Sequence, residues 1–496
     1  MNNPVNILKF GGTSVATGER IRHVAHIIEK QLHDCEGNFP VVVVSAMSGV
    51  TDQLLRIAYY AWTYEHDACE QELRALKQRH LEAAGKAVHN PENQRALLHG
   101  LETAFTSLEQ DLAKVASRNL PAGETGKLDT ALYGGSIIAA WGERLSVLLL
   151  AAAVRDIGVR AMPVRQEVII TGHPKGEAPA SPASVVGTEP LSEETRANAQ
   201  SLLSPLIARR TIPIAAGFIG RTKSGIVTTL GRNGSDYSAS VIGAALDCSD
   251  VSIYTDVDGV LTADPRIVPN ARLLPELSYS EAARLSWFGA TVLHPRTFMP
   301  LAHRNIPVHV RNTFHPHRRG TIVGPEGSSP SAARAIAIRR HLALITVESI
   351  AMFGIPENAA QVFALAARAG AAPVAICLSS GYHLSFLVED QAGDSVVALL
   401  QHDIGNWRVL CRPGLAACAC IGSGFTVSPM SPARAISALA HERIPVVAQG
   451  ASEGCIILIV EDEDTEPALR CLHHDLIAPV IPLVRSHTQE KHREVI

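Results

Sequence analysis

A chain of 496 residues is too long for one ordinary core, and at about 150 residues per domain it should hold roughly three. Apolar residues make up 46% and charged residues 19%, with a net charge of −4, so cores can be buried but no global basic field is present to attract nucleic acid. The nine cysteines form no Cys-x-x-Cys pair, only eight residues precede Lys9, and no apolar run reaches the roughly 18 residues of a transmembrane helix, so a soluble protein of the reducing cytoplasm, away from membranes, is expected.

The first element is Asn6 to Phe10, a short apolar strand that breaks at Gly11-Gly12 and continues through Thr13 and Ser14. Without a Cβ, those glycines let backbone N–H groups approach an anion. Ser14 or Thr17 can cap a helix from Gly18 through Ile28, whose N-terminus adds partial positive charge beside the amides, and Lys9 supplies a full one. An ordinary strand-turn-helix corner has the same local pattern, so Gly-Gly alone does not assign a phosphate cradle. Pro40 to Ala46 is a β-branched run typical of a strand buried on both faces of a parallel sheet. Ser45 to Thr51 is then a second small-residue turn, with Thr51 or Asp52 able to cap the next helix.

From about Glu70 to Arg118 the spacing predicts a helical insert, broken near Asn90-Pro91. Asp129 can cap a long helix to about Arg155 that contains Gly142-Glu143. A glycine costs about 1 kcal/mol against alanine there and a carboxylate resists burial, so something should approach that face closely and carry positive charge. A surface Glu143 paired with Arg144 is the alternative. His173 to Pro190 carries four prolines and two glycines and reads as a surface loop. Thr228 to Ala239 places Gly231, Arg232, Gly234, Ser235 and Asp236 ahead of a helix, which implies another anion site; a capped helix start with an incidental Arg232 is the plainer reading. Val251 to Thr255 is a strand ending at Asp256, Asp258 and Gly259, and open α/β sheets bind ligands at such carboxyl ends. His294 reads as a packed structural histidine.

Phe314 to Arg334 reads as a linker. After it two strand-helix-strand patterns follow each other, one through Pro373–Ile376 and one through Pro445–Gly450. The domains expected are 1–325, with the helical insert at about 64–120, then 342–410 and 416–487, with strand 333–340 able to pair with the last. The fold class is α/β, an open mainly parallel sheet with helices on both faces, followed by two α+β units.

Lys9-Phe10-Gly11-Gly12-Thr13-Ser14, together with the clusters at 45–51, 143, 231–236 and 255–266, resembles the aspartokinases of the amino-acid kinase family, and the two C-terminal units resemble paired ACT regulatory domains. The resemblance implies ATP-dependent phosphorylation of the β-carboxylate of L-aspartate, with Mg²⁺ arriving on the nucleotide and no separate metal site in the protein. It assigns Lys9 and Asp236 to catalysis, and Ser45, Thr51, Glu143, Arg232 and Asp236 to substrate. Lys9, Gly11, Gly12, Ser14, Thr255, Asp256 and Arg266 fall to ATP. It also implies a homo-oligomer with an amino-acid effector at the ACT units. A kinase for another amino-acid carboxylate and a catalytically weak sensor subunit are the alternatives.

Two departures from the family pattern bear on ATP affinity: Thr291 stands where a lysine is common, and Leu261 where tyrosine is frequent. For the effector, Ala371 to Val388 contains no Asp or Glu, which disfavours lysine because a buried ε-ammonium would be unpaired. Gln449 sits in a segment resembling threonine-sensitive relatives, while Ile376-Cys377-Leu378 stands where those relatives often carry a glutamine.

Overall fold

The unbroken run Val41–Val44 lies at the centre of the first sheet beside the N-terminal strand, since a strand covered on both faces can be apolar at every position. The computed structural model describes residues 5–34, 38–118, 130–174, 181–231, 233–290, 293–326, 333–348, 356–380, 382–403, 407–422, 425 and 430–477. These divide into two units, Met1–Leu261 with Arg272–Ser329, and Thr262–Ala271 with Pro330–Ile496.

The first unit has strands β1 (Val5–Phe10), β2 (Phe39–Val44), β3 (Ala161–Pro163), β4 (Ile212–Ala216), β5 (Ile219–Arg221), β6 (Val227–Thr229), β7 (Asp250–Thr255), β8 (Glu276–Ser278), β9 (Val308–Asn312) and β10 (Thr321–Gly324). Its helices are α1 (Gly18–Asp34), α2 (Val50–Thr63), α3 (His66–Ala87), α4 (Pro91–Ala116), α5 (Thr130–Ala139), α6 (Trp141–Asp156), α7 (Ser192–Ala208), α8 (Gly234–Ala245), α9 (Tyr279–Trp287) and α10 (Pro295–Ala302). Eight strands form one sheet in the order β3-β4-β2-β1-β7-β9-β10-β8, parallel except where β10 runs against β9. β1 and β2, buried at all positions, sit at its middle. Helices α1 and α6 pack together on one side, and α7, α8 and α10 make the other layer.

The insert is α3 and α4, and its break has a clear cause. Asn90 caps α4 by accepting hydrogen bonds from the N–H groups of Glu92 and Asn93, and Pro91 at the first helical position needs no donor. The long helix expected from Asp129 is two helices parted at Ala140. The stretch Thr130–Asp156 is long and apolar enough to span a bilayer by length and composition, a run that inspection of the sequence missed, but 83% of its most apolar window is buried inside the fold. It is a core element, and its hydrophobicity is used against the sheet and α1, α2 and α4.

The second unit is a six-stranded antiparallel sheet of β11 (Ala335–Glu348), β12 (Ala375–Ser380), β13 (His383–Glu389), β14 (Arg408–Ile421), β15 (Ala448–Ser452) and β16 (Cys455–Glu461), ordered β12-β13-β11-β14-β16-β15. Helices α11 (Pro356–Arg368) and α12 (Asp390–Asp403) cover one core, α13 (Met430–His441) and α14 (Thr465–Ile477) the other. His341 lies at φ 58 where the β11 register shifts, and this irregularity divides β11 between the two cores. The segment Thr262–Ala271, read from sequence as part of the kinase domain, packs with this second unit. The Thr262 carbonyl accepts from Ile336 N–H at 2.9 Å, its hydroxyl lies 2.9 Å from His473 Nε2, and Ala263 and Val268 join the second core. Residues 349–354 and 423–424, which open the two sequence patterns, lie outside the described residues.

Candidate active site

The carboxyl ends of β1, β2 and β7 stand side by side, with Phe10 opposite both Val44 and Tyr254. Each of the first two strands leaves through a glycine-bearing turn, and the turns are laced together. Ser45 N–H donates to Phe10 O at 3.1 Å, Ser48 N–H donates to Gly12 O at 3.1 Å, and Gly11 N–H donates to Tyr254 O at 3.3 Å. A Cβ on Gly12 would lie 2.8 Å from the carbonyl oxygen of Ala46, which is backbone and cannot swing aside. Gly12→Ala is therefore expected to part the two turns and lower activity by roughly tenfold or more, since small misplacements at a reacting centre are costly. Steady-state assays alongside circular dichroism check this; an alanine variant with the same spectrum and full activity would contradict it.

Gly142 shows what approaches the helix at Glu143. A Cβ there would lie 2.8 Å from the Ala46 side chain, so the close neighbour is the second turn itself. The Ala46 N–H donates to Glu143 Oε1 at 3.1 Å, while Glu143 Oε2 is buried with no hydrogen-bond partner. Arg144 points elsewhere, to Glu167, so the surface Glu143–Arg144 pair does not form. Burial drives the Glu143 carboxyl pKa up to about 8, against the lowering effect of the Ala46 N–H and its own backbone amide. A half-satisfied buried carboxylate facing a cleft is a socket for a cation.

Across that cleft the Lys9 ammonium forms an ion pair with Asp236 Oδ1. Lys9 is 6% exposed, held by the central strand, and Asp236 stands in the first turn of α8. Two helices present uncapped N-termini here. The cap of α2 is Gly49 at φ 77 and that of α8 is Asn233 at φ 55, and neither end receives a side-chain cap. Both cap residues line the cleft, so free N–H groups and partial positive charge are offered to an anion.

The cleft has a volume of about 410 Å³ and brings together Lys9, Gly12, Ser45, Thr51, Glu143 and Asp236 of the residues singled out in sequence. Gly11 sits beside it, close to Lys9 Nζ. Ser14 is fully buried and its hydroxyl is engaged with Thr313 at 2.6 Å and with Tyr254 O, so it braces β1 against β9. Thr255 and Asp256 stand at the end of β7, where the Thr255 hydroxyl donates to Asp256 at 3.2 Å. Arg266, in the segment grouped with the second unit, is paired with Asp264 at 2.6 Å and does not line the cleft. Arg232 and Thr291 lie outside the described residues. His294 caps α10 by accepting from Arg296 N–H at 3.2 Å, a structural task.

Leu55, Val185 and Phe218 were not singled out from sequence, and Asn233 only as part of the 231–236 cluster. Val185 belongs to the stretch read as a surface loop, but Thr188 N–H donates to Thr229 O at 2.8 Å and Gly187 lies against Gly231, so residues 181–190 form a wall of the site. Asn233 had a usable signal, because Asn before Gly at a helix start tolerates a left-handed backbone. Phe218 had none.

The amino acid kinase family profile matches residues 4–312, and an ACT domain profile matches 419–476. The chain is 30% identical to the lysine-sensitive aspartokinase 3 of Escherichia coli, covering 95% of this chain and 98% of that protein. The chain belongs to the amino acid kinase family, among the aspartokinases. It is also 33% identical to the bifunctional aspartokinase/homoserine dehydrogenase 2 of Arabidopsis thaliana over 94% of its own length, and it spans about half, 50%, of that longer relative. The crystal structure of E. coli aspartokinase III in complex with aspartate and ADP superposes with a TM-score of 0.74 at 28% identity, covering 95% of this aspartokinase-family chain and 99% of that one.

Proposed function

We propose that this protein transfers the γ-phosphoryl group of ATP to the β-carboxylate of L-aspartate, giving L-aspartyl 4-phosphate and ADP, the opening step towards lysine, threonine and methionine. One observation carries the reading: a single cleft holds the unpaired, buried Glu143 oxygen opposite the Lys9–Asp236 pair and two uncapped helix N-termini. Such a cleft fits a small molecule with one ammonium and several anionic groups. The complex of the E. coli relative with aspartate and ADP supports the same substrates.

The chemistry follows from these groups. A carboxylate with a pKa near 4 is ionised at neutral pH, so the nucleophile requires no general base. Catalysis then consists of alignment and neutralisation of charge on the transferring group. Lys9 and the Gly12 N–H stabilise that charge, the Gly11 N–H being engaged by Tyr254 O, with Asp236 holding the ammonium in place. Glu143 receives the α-ammonium. Mg²⁺ would arrive with the nucleotide and would supply further neutralisation of the polyphosphate charge. A cytoplasmic location is part of the proposal and agrees with eight cysteines present as free thiols among the described residues. So is a homo-oligomer, for which Ile376, 52% exposed on edge strand β12, offers apolar surface to a second copy.

The test is to trap the acyl phosphate with hydroxylamine across a panel of amino acids. Hydroxamate from aspartate is the expected product; hydroxamate only from another acid, or from none, would replace this reading by a different substrate or by a sensor role.

An amino-acid effector at the ACT units is proposed as well. Strands β12 and β13 carry no carboxylate before Glu389, and Glu389 is committed to Arg339 at 2.5 Å. Lysine alone is therefore expected to leave the rate unchanged, and threonine to inhibit weakly, through one site, or not at all. Rates titrated with each amino acid separately decide this; strong inhibition by submillimolar lysine would refute it.

A further inference from the structure

Arg296 ties together three residues that flank the active-site cleft, Glu189, Leu230 and Tyr237, and adds side-chain contacts to the backbone bond between Thr188 and Thr229. Its Nη2 donates to Glu189 Oε1 at 2.8 Å, on the 181–190 wall. Its Nη1 donates to Leu230 O at 3.3 Å, the last carbonyl before the glycine-rich loop. Its guanidinium carbon lies 4.6 Å from the centroid of the Tyr237 ring, one residue after Asp236. The Arg296 backbone is fixed in turn by the His294 cap at the start of α10.

The loop it braces is closed by one backbone bond, Gly234 N–H to Gly231 O at 3.0 Å, and is anchored at its start by Leu230 N–H to Phe218 O at 2.8 Å. Gly231 at φ 77 and Asn233 at φ 55 are both left-handed, and the latter costs energy for a residue with a Cβ. The α8 end that follows has no side-chain cap. Asp236, which holds Lys9, stands in the first turn of α8 directly after these left-handed residues, so side-chain contacts made to the loop and to Tyr237 bear on its position. Arginine suits this task because one planar fork serves two acceptors while its face lies on an aromatic ring, and lysine reproduces neither.

We infer that Arg296 is a positioning residue for phosphoryl transfer, holding the Leu230–Asp236 loop and the Glu189 wall in the geometry that sets Asp236 against Lys9. The inference rests on the aspartate-kinase reading for its kinetic consequence but not for its structural one. A direct nucleotide contact, in which Arg296 replaces the lysine missing at Thr291, is the competing role.

Arg296→Lys and Arg296→Ala, with Glu189→Gln alone and combined with Arg296→Lys, separate these in the full chain. For positioning, both Arg296 variants lose about 10-fold to 10²-fold in kcat, since misplacement of this order costs that much. Lysine does not rescue, the KM for ATP stays within about threefold, and the double variant loses less than the product of the singles. Hydrogen exchange provides a readout independent of substrate: amides at 233–237 should exchange at least about tenfold faster in Arg296→Lys, the mark of a locally loosened segment. Rescue by lysine with a raised ATP KM in alanine would establish the nucleotide contact instead and overturn the inference. Unchanged exchange would also overturn it, whatever the enzyme phosphorylates. Absence of aspartyl hydroxamate from the wild-type enzyme, with loop exchange still accelerated in Arg296→Lys, would sink the substrate assignment while leaving the bracing role standing.

Discussion

Lys9→Ala should lower kcat by roughly 10²-fold to 10³-fold, the loss typical of one electrostatic contact to developing charge. Lys9 is 6% exposed, sits on a central strand of the sheet, and has its ammonium aimed by Asp236. Because the interaction strengthens as charge moves in the transition state, the loss should fall on kcat more than on either KM. Deleting the lysine also leaves Asp236 beside an empty volume, so Lys9→Met, which keeps the apolar stem, is the companion variant. Retention of more than about a tenth of the wild-type rate by folded Lys9→Met would show that the helix N-termini suffice and that the lysine serves Asp236 alone.

Glu143→Gln should raise the KM for aspartate by about 10²-fold, since removing one partner of a buried ion pair costs about 3–5 kcal/mol and part of that is recovered by the amide. The wild-type enzyme should also show a pH dependence that the variant lacks. In the free enzyme the Glu143 carboxyl has its pKa pushed up to about 8 by burial, so below that pH it is neutral and must lose a proton before receiving an ammonium. The KM for aspartate should fall by up to about tenfold per pH unit as pH rises from 6 towards 8, then level off. Linkage gives a second reading of the same group. The native pKa lies above the ordinary carboxyl value of 4.5, so the native state binds more protons between pH 4.5 and about 8. The stability that this protonation contributes is complete below pH 4.5 and is lost as pH rises through about 8. The thermal midpoint of the ligand-free protein should therefore fall over that range more steeply in wild type than in Glu143→Gln. Parallel midpoint curves, or an aspartate KM flat between pH 6 and 8, would mean that Glu143 is already ionised in the empty site.

The strands, the glycine turns and most of the cleft were legible in the amino-acid sequence because they rest on local rules. A β-branched run such as Pro40–Val44 can be covered only on both faces, and Asn90-Pro91 stops one helix and starts the next by what its atoms can and cannot donate. The Gly142-Glu143 pair announced a close approach and an unmet charge from its position in an apolar helix alone. Sequence could not say what made the approach: Ala46 does so from the turn after β2, almost a hundred residues away, and only the packing of α6 against β2 puts it there. Ser14 looked like a phosphate ligand by its place in the turn, yet its hydroxyl is engaged with Thr313, a partner fixed by β9. The 181–190 wall, the Arg296 brace and the attachment of Thr262–Ala271 to the second unit had no local signature. Each depends on a hydrogen bond or packed face between segments distant in the chain, and such pairings are decided by how whole elements cover one another's apolar surface. What the sequence determined by itself was the set of charged and glycine residues available for phosphoryl transfer and the elements that carry them. The tertiary structure decided which charges meet: Lys9 with Asp236, Arg296 with Glu189, and Glu143 with no partner on one oxygen, because burial and long-range pairing, not spacing along the chain, determine which groups are desolvated together.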